Sequence, residues 1–398
     1  MTRITQLLAA LLILVFSSCG DSSDKANLGS KPSSSKEKGE ITVYSFRVTD
    51  FEKELAQDFE KETGIKVNWV TDSSDKLLIK IQSEAESSPA DVVLLDGAAR
   101  LARASKRKLL QAVNSPELES RVPVKYRDQT NQWFGFSKVA RIAAVNNANS
   151  KAAALSTYAD LTSSKYVKSV YIRSGNNSSN QSLVASIMLN SNAGEAENWC
   201  VNLVKNFASS PKGNDQTQIM AASKDENGIG IVNSSEFMRV SEEVKASVKP
   251  VFLSHSNGKT HMNICGAGIC AHSKKAEYAL KFLLYLTQVS SQESLSAALG
   301  EYPIHTKAEV PESLKSLGTF NEDQINLFYD YFIRFIALFS HFTGYGFNLS
   351  MKRQNRFYFK GLSHSFYLFW VYFRTLRVQI GHRHKEFLLS FIRHFPLA

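Results

Sequence analysis

The sequence predicts an α/β fold built as two lobes with a ligand cleft between them. Three observations carry that expectation. Strands and helices alternate from Ile41 to Leu95, and a second alternating set begins near Ser169. The composition, 398 residues at 43% hydrophobic and 21% charged, suits a chain able to bury more than one core. That composition also excludes a disordered, fibrous or small disulfide-held protein, since there are only 9 Pro, 20 Gly and 4 Cys.

The elements follow in order. Ile41–Phe46 is rich in β-branched and aromatic residues and reads as a strand. Asp50 can cap a helix carrying Phe51, Leu55 and Phe59 at helical spacing, closed by Gly64. Ile65–Val70 is the next strand, a helix follows around Lys76–Glu86, and Asp91–Leu95 is the third strand. This order argues for a largely parallel sheet. Trp133–Asn146 reads as a pair of strands running out of that unit. The second set comprises a strand at Ser169–Arg173, helices at Gln181–Asn190 and Glu195–Phe207, and strands at Gly228–Val232 and Val248–Leu253. Another strand-like stretch, His261–Ala271, precedes an amphipathic helix at Ala276–Gln288. The expected first lobe is residues 41–140 with 260–327, and the second is 141–259.

Both ends differ from this body. Arg3, the apolar run Leu7–Phe16 and the small residues Ser17 and Ser18 form a secretory signal over residues 1–18, too short to span a bilayer comfortably. Cys19 stands where a bacterial lipoprotein carries its lipid. Residues 19–40, rich in Ser, Lys, Asp and Gly, bury too little to offset their ordering entropy and read as a tether. The net charge of +10 is concentrated at the other end. Ten Lys/Arg and two acidic residues fall from Phe328 onward, leaving 37 basic and 35 acidic residues before it. The body is therefore near neutral, and nucleic acid is not an expected partner. The tail, 328–398, holds 14 of the 25 Phe and reads in three ways: a frameshifted end, a membrane-surface segment or an extra packing element.

Motifs for catalysis are missing: there is no HExxH, GxSxG, P-loop or CxxC, and nothing supports an enzyme. Gly266-Ala267-Gly268 imitates part of a dinucleotide fingerprint but lacks the acidic residue about 20 positions on, and reads better as a turn between strands. Cys265 and Cys270 leave two readings open, a disulfide or small buried residues.

Ten short stretches, in this order, resemble the ferric-iron-binding proteins of bacterial ABC importers. They are Val43–Ser45, Thr63–Val67, Ser88–Val92, Trp133–Lys138, Thr157–Leu161, Tyr171–Ser174, Asn180–Leu183, Gly213–Asp215, Asn263–Gly268 and Glu301–Pro303. The resemblance implies a periplasmic, monomeric, two-lobed protein of type II, transferrin-like fold, with Fe(3+) as the transported ligand. It also implies a permease and an ATPase as partners. Iron in that family is held by tyrosine phenolates, usually with a His or Tyr from the first lobe. The family positions here are Val48 and Thr49 in the first lobe, and Ser179, Ser235 and Glu236 in the second. A serine hydroxyl does not replace a phenolate, because an aliphatic alcohol is far less acidic than tyrosine. Asp96 is placed to supply a carboxylate from the opposite lobe. Arg47, Arg141 and Arg173, with Ser174 and Gln181, match positions that line the family cleft or hold a companion anion, and Tyr44 joins them. For each arginine a structural ion pair is the competing reading. The missing phenolates keep alternatives open: a different ligand (an organic anion or a chelated metal), or a sensor or scaffold.

Overall fold

The computed structural model describes residues 39–175 and 177–323. The signal, Cys19 and the aromatic tail lie outside the described residues. The chain opens with β1 (Gly39–Ser45), α1 (Asp50–Thr63), β2 (Ile65–Thr71), α2 (Ser74–Glu84), β3 (Val92–Asp96), α3 (Ala98–Lys106) and α4 (Pro116–Arg121). The strand β4 (Phe134–Asn146) leads to β5 (Val170–Tyr171), α5 (Ser178–Asn190), α6 (Ala193–Lys205), α7 (Asp215–Ser223), β6 (Ile229–Asn233), α8 (Ser234–Met238), α9 (Glu242–Ser247) and β7 (Val248–Phe252). The last part holds β8 (Lys259–Thr260), β9 (Met262–Ile269), α10 (Ala276–Thr287), α11 (Val289–Leu299), β10 (Tyr302–Pro303), α12 (Glu312–Lys315) and β11 (Asn321–Glu322).

Local chemistry explains the boundaries. Thr49, not Asp50, caps α1, because its partner Glu52 lies three residues on and completes a capping box. Gly64, at φ 78°, supplies the left-handed turn that ends the helix, as expected. β1 pairs in parallel with β2 and β3, while β3 and β4 flank β9 in antiparallel pairing. The expected pair of strands at Trp133–Asn146 is one 13-residue strand. Its first half pairs with β9 and β10, and its second half with β6 and β7. A strand buried almost throughout can serve two sheets in turn because both halves are mainly apolar.

On β9 one expectation is corrected and one open reading is settled. Gly266 and Gly268 make no turn but sit within the strand. A Cβ on Gly266 would come 2.9 Å from the Phe134 carbonyl, and one on Gly268 would come 2.7 Å from that of Gln132. The glycines are there for close backbone approach. Cys265 and Cys270 are free. Five residues along an extended chain separate them by roughly 16 Å and aim them at opposite faces, well beyond disulfide reach.

The apolar core falls into three main clusters. One gathers β1, β3, α1, α2 and α10 around Phe59 and Phe282. A second surrounds Tyr158, Tyr166 and Trp199. The third, with Ala140, Val232, Met262 and Leu314, lies where β4 passes from one sheet region to the next. Residues 310–323, expected in the first lobe, straddle this junction: Phe320 stacks on Phe252 at 4.5 Å, while Glu322 pairs with Lys138. No described helix is long and apolar enough to cross a membrane.

Candidate functional site

The ends of β3 and α5 meet across the junction. Asp96 closes β3, and its Oδ1 accepts a 2.5 Å bond from Ser74 Oγ at the start of α2. Its Oδ2 accepts from Arg100 at 2.8 Å and from Ser178 Oγ at 3.0 Å. Ser178 is the first residue of α5, whose N-cap Asn177 accepts the amides of Ser179 and Asn180. Asp96 therefore links the lobes through a charge-assisted bond. Between these groups lies a cavity of about 10 Å³, the size of one water, lined by Asp96, Gly97, Arg100, Ser178, Ser182 and Asn263.

Behind this seam is a buried cluster that the sequence places in separate motifs. Arg141, 2% exposed, pairs with Asp215 at 2.9 Å and donates to Asn180 Oδ1, Asn233 Oδ1 and the Ile231 carbonyl. Arg173 lies 3.7 Å from the same carboxylate. Asn233 Nδ2 donates to Ser179 Oγ at 3.2 Å, and Asn180 Nδ2 donates to the carbonyls of Arg173 and Ser174. Burial depresses the Arg141 pKa, and Asp215 opposes that shift. Arg141, read as a holder of a companion anion, has both terminal nitrogens engaged by protein partners. It joins α5, α7 and β6 into the floor of the cleft.

Arg47 is committed in the same way. It pairs with Glu52 at 2.6 Å and, bidentately, with Glu301. Burial works to raise the Glu301 carboxyl, but Arg47 and Ser137 hold it below the usual carboxylate range. Of the first-lobe ligand positions, Val48 has no donor atom, and the Thr49 hydroxyl is bonded to Glu52 in the capping box. In the second lobe Ser235 is buried on α8, whereas Glu236 is partly exposed and held by Arg239 at 2.9 Å and Gln216 at 3.3 Å. Gln181 is partly buried on α5, and Ser174 is exposed.

Tyr44 does not join this group. Its hydroxyl bonds to both Glu84 oxygens at 3.0 Å, at the end of α2 opposite Ser74. Ten residues of helix put that end about 15 Å away. Burial, with the Glu84 bond and charge, pushes its pKa above the usual tyrosine value. The sequence motifs give no role at the site to Ser178, Ser182 or His261. The spacing of Ser178, Ser182 and Ser186 was the available signal, since residues four apart share a helix face. Among the described residues, no three His, Cys, Asp or Glu side chains gather closely enough to hold a metal ion.

Two α/β lobes, joined by strands that run from one into the other and meeting over a polar seam, define the class: a two-lobed periplasmic binding protein. The sequence profile of the bacterial extracellular solute-binding proteins matches residues 54–321, and the chain belongs to that family. It is 37% identical over 320 residues to iron uptake protein A1 of Synechocystis, covering 79% of this chain and 88% of that protein. Among solved structures it is similar to the Trichodesmium protein IdiA (FutA) in complex with iron and citrate, at TM-score 0.72 and 35% identity, covering 77% of this chain and all of the other. It is also similar to the Mannheimia haemolytica ferric iron-binding protein A in an open conformation, at TM-score 0.66 and 31% identity, covering 76% and 95%. The resemblance expected from the ten motifs is thereby confirmed.

Proposed function

We propose that this protein binds iron(III) outside the cytoplasm and delivers it to an ABC permease driven by an ATPase. The observation that supports this most is the likeness to iron-uptake proteins over nearly their whole length, at 35–37% identity. These comparisons favour iron over an unrelated organic anion, and a transport protein over a sensor or scaffold. They also point to binding rather than catalysis. The ligand positions expected from the resemblance, with Asp96, would offer two carboxylates, Asp96 and Glu236, and the hydroxyls of Ser179 and Ser235. Ferric iron is a hard cation that takes oxygen ligands, and this set leaves most of its coordination to water or a small oxygen-bearing anion. The test is direct: purified protein is mixed with ferric citrate and desalted, and the iron it retains is measured. About one iron per chain supports the reading; none, with the fold intact, overturns it.

Anchoring belongs to the same reading. The apolar run Leu7–Phe16 followed by Ser17, Ser18 and Cys19 supports a lipid on Cys19 and a periplasmic protein held at the membrane. Fractionation checks it, since Cys19→Ser should move the protein out of the membrane pellet or block its processing.

A further inference from the structure

Three serines of α5, Ser178, Ser182 and Ser186, recur every fourth residue and form one buried polar stripe. Each meets a titratable group outside the helix. Ser178 bonds to Asp96, Ser182 Oγ to His261 Nε2 at 2.8 Å, and Ser186 Oγ to His255 Nε2 at 2.6 Å. Ser182 also lines the cleft cavity, so His261 sits directly behind the cleft wall.

His261 is part of the hinge itself. The chain passes between the lobes at Ala140–Arg141 and again at His261–Met262. The Arg141 amide donates to the His261 carbonyl at 3.0 Å. The Tyr158 hydroxyl donates to the Arg141 carbonyl at 2.8 Å and accepts the His261 amide at 3.1 Å, tying the two crossings together.

The two histidines differ in what faces them. His255 lies 3.5 Å from Asp323, which Ser186 and Asn190 also hold, and its ring packs on Tyr158 at 4.9 Å. A proton on His255 therefore has a carboxylate beside it. His261 is 2% exposed, and its Nδ1 has no partner among the described residues. The groups that oppose a charge on it are the Arg141 guanidinium and, when protonated, His255; Asp215 is paired with Arg141, Asp96 with Arg100 and Ser178, and Asp323 lies beside His255. A proton added to His261 would create a buried N–H with no acceptor, facing a cation.

We propose that His261 is a proton-operated hinge switch: neutral, it seals the back of the closed cleft, and protonated in a mildly acidic medium it opens the lobes and releases the solute. The release step rests on the function proposed above, whereas the opening step does not. Burial, with the charges of His255 and Arg141, pushes the imidazole down to about 3 in the arrangement described here. An open cleft that wets Ser182 and His261 returns it to an ordinary value of about 6.5. The sign follows: the open form binds the proton better, so closure is fully favoured above pH ~6.5 and is lost as the pH falls below it. One proton makes the closed-to-open ratio drop about tenfold between pH 7.5 and 5.5.

Small-angle X-ray scattering of the full-length chain without metal tests the opening step. The radius of gyration should rise between pH 7.5 and 5.5, and His261→Gln should leave it flat. No expansion, or the same expansion in both proteins, overturns the proposal. Should the variant not fold, the imidazole resonance of His261 is followed in the unaltered protein. Titration with the midpoint of the expansion supports the switch, and an imidazole that stays neutral through the expansion overturns it. Because no iron is present, a failure here is distinct from a failure to retain ferric iron at neutral pH.

Discussion

Two helices of similar length are built on opposite principles. α10, in the first lobe, buries Ala279, Phe282, Leu283 and Leu286 against the sheet, with the Phe282 ring 5.2 Å from Phe59 and 6.2 Å from Trp69. α5, in the second lobe, buries five polar residues near its start and along one face: Ser178, Ser179, Asn180, Ser182 and Ser186. Leu183, Val184 and Ile187 anchor its other side. α10 is held by non-directional burial, and it contributes stability without chemistry. The polar face of α5 gives up part of that stabilisation in return for hydrogen bonds whose partners lie in the other lobe and in the hinge. Buried polar groups of this kind stay only where every bond is made, so they fix one lobe arrangement and respond when a bond is lost.

That contrast can be broken at either end. The largest expected effect is Phe282→Ala, which should cost about 3–5 kcal/mol by removing a fully buried ring and leaving a cavity. Chemical denaturation would show the loss, while lobe closure in the folded fraction should stay unchanged. Ser178→Ala should do the reverse. It removes the bond to the Asp96 carboxylate, worth about 1–2 kcal/mol, and so should move the lobes toward opening with little change in the denaturation midpoint. Scattering at neutral pH would register that shift. If Ser178→Ala unfolds the protein as readily as Phe282→Ala, the two helices do not differ as described.

The apolar half of this contrast was legible in the sequence and the polar half was not. β1, β3 and α10 announce themselves by β-branched runs or an amphipathic stripe, because burial alone determines them. α7 and α11 carry sequences such as Asp215-Gln216-Thr217-Gln218, whose buried Asp215 and Gln218 leave no apolar stripe to read. The helix expected from Gln181 begins three residues earlier for the same reason: Ser178, Ser179 and Asn180 look like a loop in the absence of the Asn177 cap and their tertiary partners. Motif order singles out Ser179, Ser235 and Glu236 as the second-lobe ligand positions. It did not reveal that Arg141 would be taken by Asp215, 74 residues away, because that pairing is a tertiary event.

The chain keeps the solute-binding family although none of the expected ligand positions Val48, Thr49, Ser179, Ser235 and Glu236 is a tyrosine. Tyr44 is turned to Glu84, and the buried Tyr158 hydroxyl is bonded to the Arg141 carbonyl, so neither replaces the missing ligands. The visible spectrum tests this most directly. The protein loaded with ferric citrate should show no phenolate-to-iron charge-transfer band, and the triple variant Ser179→Tyr, Ser235→Tyr, Glu236→Tyr should develop one. A coloured ferric complex of the unaltered protein would contradict the claim.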